Sequence, residues 1–447
     1  MTKDLTTGSV TKTMLLFACP MILGNLLQQC YNIADSFIVG KFSGSGALAA
    51  VGSAYSLMTF ITSVIIGLCM GSGTVFSVCF GKDDKAKLKN SAAASFIFIA
   101  AVTVIINIII FAAVDPILHI LNVPDDVYAM MRSYVVIVFG GLIFVFLYNY
   151  FAFLLRAIGN SAVPLYFLGA AAVINIALDI LLVAVFDMGT GGAAIATVIA
   201  QAVSGVGLGA YVLIKEPELL PKKSELHITS ALVKEVTRHS FAACIQQSVM
   251  NFGILMIQGL INSFGTAVMA AFAAAVKIDS FAYMPAQEFG NAFSIFISQN
   301  HGGGKHDRVK EGMRRAAVVS AAFCLFVSAL IFVLAKYLMQ IFIDPSEAEI
   351  INIGIGYLRI EGSFYIGIGV LFLLYGFYRG IEKPEMSLVL TIISLGTRVL
   401  LAYVLSPVPA IGVVGIWSAI PIGWFLADAV GILYIKKALQ SIQNKNG

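Results

Sequence analysis

Twelve apolar runs, each long enough to cross a lipid bilayer as a helix, constrain this chain more than any other feature. A spanning helix needs about 20 apolar residues. Runs of that length fall at 13–38, 48–80, 91–114, 132–155, 162–186 and 191–214, then at 240–264, 268–299, 316–343, 353–378, 385–405 and 411–435. Several contain Gly or Pro, which helices tolerate inside a membrane. Composition agrees, with 59% of the 447 residues hydrophobic and only 12% charged, against roughly 25% charged in a soluble domain. Too little charge remains to coat two or three soluble domains. The uninterrupted runs also exclude an outer-membrane barrel, whose strands alternate apolar and polar residues. An all-α polytopic membrane protein is expected.

Lys and Arg set the orientation. They gather in alternate loops: Lys82 to Lys89 after the second run, Lys215 to Arg238 after the sixth, Lys305 to Arg315 after the eighth, Arg379 and Lys383 after the tenth. Lys3, Lys12, Lys436, Lys437 and Lys445 put both ends of the chain on that same side. The opposite loops and their borders hold only Lys41, Arg132, Lys336 and Arg359. Both termini are expected to be cytoplasmic, in the plasma (inner) membrane of a prokaryote. The first run is longer than a signal-peptide core, so no cleavable signal is expected.

An internal repeat organises the spans. Gly81-Lys82-Asp83-Asp84-Lys85-Ala86-Lys87 matches Gly304-Lys305-His306-Asp307-Arg308-Val309-Lys310 at an offset of 223 residues. Tyr134 and Tyr357, Arg156-Ala157-Ile158 and Arg379-Gly380-Ile381, and Gly192 and Gly415 share that offset. The expectation is two six-helix lobes, 1–214 and 239–447, joined by a basic cytoplasmic linker at 215–238. Six spans per half insert both halves the same way up, related by a parallel pseudo-twofold along the membrane normal. That plan fits a secondary transporter better than a channel, for which no loop resembles a selectivity filter, or an enzyme.

Ionisable groups inside spans are costly, so each is a functional candidate. Asp35 shares one helix face with Gln28 and Tyr31, and Pro20 upstream removes a backbone hydrogen bond where the helix could hinge. Asp35 could instead lie solvated at the outer interface. Asn175 and Asp179 are one turn apart, with no cation on their own helix. Such a carboxyl can bind a proton, or hold Na⁺ with neighbouring oxygens such as that of Thr197; a plain helix-to-helix contact is the alternative. The second half has Gln246, Gln247, Asn251 and Gln258, then Lys277, Asp279, Gln287, Glu288 and Asn291. Gln247, Asn251 and Glu288 are candidates to line a cavity, Glu288 equally for a structural pair. Lys277 and Asp279 are expected to form salt bridges, with Arg398 and Glu361 as partners.

Other signals are weak. Cys19, Cys30, Cys69, Cys79, Cys244 and Cys324 lie in apolar runs without C-x-x-C spacing and read as small buried residues. The five histidines read as loop or interface residues, and no zinc-protease, hydrolase or phosphate-loop motif occurs. No enzyme activity, metal centre or cofactor is expected apart from the coupling ion, H⁺ or Na⁺. Basic residues form no aromatic-interleaved patch, so no nucleic acid is expected. Gly71-Ser72-Gly73 reads as helix packing.

These residues resemble the multidrug and toxic compound extrusion (MATE) family. The resemblance rests on Pro20, on Tyr31-Asn32-Ile33-Ala34-Asp35-Ser36-Phe37-Ile38-Val39-Gly40, and on Ala47-Leu48-Ala49-Ala50-Val51-Gly52. Gln299-Asn300 before the basic loop and Arg156-Ala157-Ile158-Gly159-Asn160 complete it. It implies a V-shaped two-lobe exporter of small, organic and chiefly cationic molecules, driven by H⁺ or Na⁺ antiport and working as a monomer. Within the family the chain looks like the DNA-damage-inducible (DinF-like) branch. That likeness places the cation or proton site on Asp35, Asn175, Asp179 and Thr197, with Gln28, Tyr31 and Asn149 beside it and Pro20 as the bend in span one. The NorM-type pattern is missing, since its acidic positions in spans seven and ten fall near Asn251 and Ile368. A lipid-linked oligosaccharide flippase or a narrow metabolite exporter of the same superfamily is the alternative; a flippase needs a basic cavity, for which only Lys277 and Arg398 lie within spans.

Overall fold

The computed structural model describes residues 4–120, 123 and 125–443; Lys3 and Lys445 lie outside them. A helical run over Val10–Gly81 is divided at Gly44, whose φ of 85° and ψ of 178° are not helical, giving α1 (Val10–Gly44) and α2 (Gly46–Gly81). There follow α3 (Lys85–Ile120), α4 (Asp125–Gly140), α5 (Leu142–Ala157), α6 (Ala162–Asp179) and α7 (Gly189–Lys215). The second half is α8 (Ser230–Asn262), α9 (Thr266–Gly302), α10 (His306–Met339), α11 (Ala348–Gly362), α12 (Tyr365–Gly380), α13 (Pro384–Leu405) and α14 (Val413–Gln443). Among the described residues ten helices are long and apolar enough to cross a membrane. The pairs α4–α5 and α11–α12 bend by 44° and 50° and bring the number to twelve if each is one span. Apolar side chains such as Leu433 (80% exposed) and Ile214 (72%) face outward. Water would disfavour so much apolar surface, whereas lipid accepts it.

The chain divides into two compact units, Cys19–Cys244 with Met1–Asp4, and Ile245–Gly447 with Leu5–Ala18. The start of α1 therefore packs with the second unit and the start of α8 with the first. The repeat is written into the backbone of each unit. The bends fall at Gly141 and at Ser363-Phe364, 223 residues on. Left-handed residues recur at that offset, as Gly159 (φ 83°) and Glu382 (φ 62°), and as Gly189 (φ 56°) and Gly412 (φ 54°). Gly192 packs against Leu182 and Met188, and Gly415 against Leu405 and Ile411, again at that offset.

In the second unit the Gln299-Asn300 pair and the basic residues after it clamp the N-terminal segment. Leu5 N–H donates to Gln299 Oε1, and Asn300 Nδ2 donates to the Leu5 carbonyl. Arg308 donates to the Leu5, Thr7 and Gly8 carbonyls, and Lys305 to Thr6.

The linker is a docked segment in the first unit. Glu218, Glu225 and Glu235 pair with Lys85, Lys89 and Lys87 at 3.7, 2.9 and 2.9 Å. The Lys89 ammonium holds the Glu225 carboxyl below the usual carboxylate range. That pair is present at neutral pH and lost only as acid protonates Glu225. Buried Asn90 donates to the Glu225 carbonyl and accepts from His227 N–H. The expected basic loop at 215–238 is thus corrected in two respects: its acids meet α3, and from Ser230 it is already α8. Counting only apolar residues missed this amphipathic start, where Leu232 and Val236 turn inward.

Other expectations are also corrected. Cys19 and Cys30 are exposed, while the other four cysteines are buried. His239 is buried, not at a surface. It stands where α2 crosses α8 closely: a Cβ on Gly71 would meet the His239 carbonyl at 2.2 Å, and Ser72 Oγ bonds Ser240 Oγ at 2.8 Å. This is the packing read from Gly71-Ser72-Gly73.

Two predictions follow from these contacts. Gly71→Ala forces two backbones apart and should cost about 1–3 kcal/mol, visible as a lower Tm in detergent. Gly52→Ala, with nothing within 4 Å of its Cβ, should leave Tm unchanged or raise it. In the linker, Asn90→Ala removes two buried hydrogen bonds, about 1 kcal/mol each, and should speed tryptic cleavage after Lys222 and Lys223. Glu225→Gln should do so less, because an exposed pair is screened by solvent.

Candidate functional site

The first unit gathers four helices around a pair of carboxyls. Asp35 comes from the last third of α1, Tyr134 from α4, Asp179 from the end of α6 and Thr197 from α7. A six-residue π-helical turn, Ile180–Val185, follows Asp179 at once. Such wide turns strain the regular ladder and recur at functional positions.

Asp179 is fully buried, Asn175 is 2% exposed and Asp35 9%. The Asp35 and Asp179 carboxyls lie within hydrogen-bonding reach of one another. Neither Asp179 oxygen, nor Asp35 Oδ1, nor either amide atom of Asn175 meets a hydrogen-bond partner among the described residues. Two facing carboxyls have only acceptors when both are ionised, so a proton or small cation must relieve their contact. Thr197 donates its hydroxyl to the Ala193 carbonyl at 3.0 Å, which leaves its oxygen as an acceptor. The Tyr134 hydroxyl faces that oxygen and both carboxyls. The donor set suits H⁺ or Na⁺, with carboxyl, amide and hydroxyl oxygens; no group of three or more metal-ligating His, Cys, Asp or Glu occurs among the described residues.

Tyr31 is half-buried, bonds Gln28 and faces Asp35, Tyr55 and Tyr148. Gln28 itself is exposed, at the open end of this polar face. Asn149 donates to the Val145 carbonyl of its own helix, and no bond joins it to the carboxyl pair among the described residues. Helix α1 runs through Pro20 with helical dihedrals, and its break lies at Gly44. Pro20 nonetheless stands beside the changeover between units at Ala18 and Cys19.

In the second unit Gln247 and Asn251 form a ladder along α8, Asn251 Nδ2 donating to the Gln247 carbonyl. Glu288 accepts from Asn291, whose own oxygen accepts from Arg379 at 2.9 Å. Of the salt bridges expected around Lys277 and Asp279, none closes within 4.0 Å among the described residues, although the Arg398 charge acts on Asp279 and Glu361. Lys277 lies over the Phe342 ring, 5.9 Å from its centroid, and Asp279 accepts from the hydroxyls of Tyr365 and Tyr357.

Sequence reasoning missed three groups. Tyr134 was visible as a repeat match but carries no charge to mark it as a site residue. Asp428 is buried within α14 near Tyr375; a lone acid in the twelfth run was the available signal. Asp115, near the end of α3, pairs with Arg132 at 2.6 Å and accepts from Tyr128.

Comparisons with known proteins identify the family and the fold. A model of the MatE family matches residues 20–181 and 240–404. The probable multidrug resistance protein YpnP of Bacillus subtilis (strain 168) is 31% identical over 394 residues, covering 88% of this chain and 87% of its own. The probable multidrug resistance protein NorM of Thermotoga maritima is 25% identical over 91% of this chain and 88% of its own. A structure described as the outward-facing conformation of a multidrug resistance MATE family transporter of the MOP superfamily superposes with a TM-score of 0.92, covering 98% of each chain at 22% identity. The last comparison establishes a shared fold, and the family match spans both halves. The chain belongs to the MatE family of multi-pass membrane transporters.

Proposed function

We propose that this transporter exports organic, chiefly cationic compounds in exchange for H⁺ or Na⁺, by alternating access. The observation that carries this reading is the buried Asp35–Asp179 pair, in which both Asp179 oxygens and Asp35 Oδ1 lack donors among the described residues. Such a pair binds a cation in one state of the protein and yields it in another. A ligand shifts a conformational equilibrium only through different affinities for its states, so the ion and the substrate compete or couple through these carboxyls. Asn175 and Thr197 complete the coupling site, and Tyr134 orients it. Gln28, Tyr31 and Asn149 in the first unit, with Gln247, Asn251 and Glu288 in the second, meet the substrate. Pro20 serves as the hinge of α1.

The likeness to multidrug resistance proteins supports the substrate class. The fate of Lys277 and Arg398 favours an exporter over a pyrophosphate flippase, because one lies on an aromatic ring and the other faces carboxyls. The Asp35, Asn175, Asp179 and Thr197 set supports the DinF-like branch. Loops rich in Lys and Arg on one side support cytoplasmic termini in the inner membrane, and the resemblance to the MATE family supports a monomer.

The test is efflux of a fluorescent organic cation measured in everted vesicles under an imposed H⁺ or Na⁺ gradient. One gradient should drive transport in the wild type, and Asp35→Asn or Asp179→Asn should bring it to background at equal membrane abundance. Gradient-driven transport that persists in both variants would contradict the reading.

A further inference from the structure

Three of the four acids between 215 and 238 are taken up by lysines of α3: Glu218, Glu225 and Glu235 pair with Lys85, Lys89 and Lys87. Two basic residues of the same stretch stay on the outside. Lys234 and Arg238 lie one turn apart on α8 and are exposed, while Leu232 and Val236 of the same turns are buried. Beside them, within the first unit, is an open hollow of about 660 Å³, in the size range of small-ligand sites. Its lining holds Lys234, Arg238 and the hydroxyls of Thr229, Ser230 and Thr237, with no acid among the described residues. Ser230, Lys234 and Arg238 form one row along the helix, and Thr237 stands next to it. Thr229 Oγ1 accepts from Leu232 N–H at 3.3 Å, which leaves its own hydrogen to donate.

The hollow stands at the depth of a lipid headgroup. The apolar run of α8 begins at residue 240, so Arg238 and Lys234 precede it by about 3 and 9 Å along the helix. The headgroup layer is about 5–8 Å thick, which puts one cation inside it and the other at its outer edge. Along the same face the surface then turns apolar. Val233 is 41% exposed, and Phe241, two turns on, 47%. Phe241 meets Phe98 of α3 with ring centroids 5.7 Å apart, and Ile97 beside Phe98 is exposed. A cationic, hydroxyl-lined end followed by an aromatic track complements the two halves of an anionic phospholipid. Helix α10 repeats the spacing without the chemistry. Lys310 and Arg314 are also four apart, exposed and just ahead of an apolar run. Asp307 and Glu311 share their face, and Glu311 pairs with Arg315.

We propose that this hollow binds an anionic phospholipid of the leaflet on the Lys- and Arg-rich side, with its phosphate at Lys234 and Arg238 and an acyl chain along Phe241 and Phe98. The two cations neutralise the phosphate, and the hydroxyls of Thr229, Ser230 and Thr237 donate to its oxygens. A zwitterionic lipid brings its own cation to the same place and gains less. A free phosphate ester gains the charges but not the apolar track. The inference does not depend on which ion is exchanged or which compound is exported.

Native mass spectrometry of the full chain in a neutral detergent tests this, with dioleoyl phosphatidylglycerol, dioleoyl phosphatidylcholine and sn-glycerol 3-phosphate as probes. The wild type should bind the phosphatidylglycerol about tenfold more tightly than the phosphatidylcholine, a comparison that requires no variant to fold. Each basic residue beside an anionic lipid is worth about fivefold in affinity, so Lys234→Gln with Arg238→Gln should weaken phosphatidylglycerol binding about 25-fold. The charge-matched control, Lys310→Gln with Arg314→Gln, should leave it within about twofold. Phe241→Ala should weaken it about threefold through the lost apolar contact. Equal affinity for the two lipids, or displacement of phosphatidylglycerol by an equal concentration of sn-glycerol 3-phosphate, would overturn the proposal. So would a loss in the α10 control as large as in the α8 variant, or binding unchanged by the Lys234 and Arg238 substitutions or by Phe241→Ala.

Discussion

Carboxyl groups held in an apolar interior without enough donors are the constraint on which the rest of this structure turns. Burying an unpaired charge is among the most costly acts in folding, and each unit does so around a tyrosine. In the first unit the surroundings offer amide and hydroxyl oxygens but, among the described residues, no cation. In the second, two hydroxyls and a guanidinium are supplied. At one shared scaffold position the first unit has Asn175 and the second Arg398. One duplicated architecture thus gives its buried carboxyls two different polar surroundings.

The surrounding architecture makes such burial tolerable. Close helix crossings at small residues, as at Gly71 on His239 and at Gly376 on the Gly290 carbonyl, provide dispersion contacts where lipid removes any hydrophobic drive between helices. Polar ties concentrate at helix ends. Arg308 and Lys305 hold the segment before α1, while Lys89 and Asn90 hold the segment before α8 and Lys87 its first turns. Each segment is fixed to one unit just before a helix whose remainder belongs to the other.

Much of this was legible in the chain itself, because hydropathy and the 223-residue offset are one-dimensional signals. The apolar runs fix the helices, and the repeat predicts matching backbone marks at Gly159 and Glu382 and matching bends at Gly141 and Phe364. Asp35 and Asp179 each stand out in the chain because charges inside apolar runs need a reason, while their grouping with Thr197 came from the family resemblance. What escaped was information carried by uncharged or amphipathic residues. Tyr134 and Tyr365 gain meaning only from what they face, and Ser230 to Arg238 looks like a loop until Leu232 and Val236 are seen turned inward. The pairing of Asp279 with tyrosines rather than with Lys277 could not be read from spacing, since helix rotation in the bundle decides it.

The central claim is that a cation at Asp35 and Asp179 and the exported substrate are thermodynamically linked. Calorimetric binding of an organic cation to the purified protein, repeated across proton and Na⁺ concentrations, tests this most directly. The account predicts that Kd rises with the concentration of one of these ions in the wild type, and that the dependence vanishes in Asp35→Asn/Asp179→Asn. A Kd indifferent to both ions, or a dependence that survives in the double variant, would contradict it.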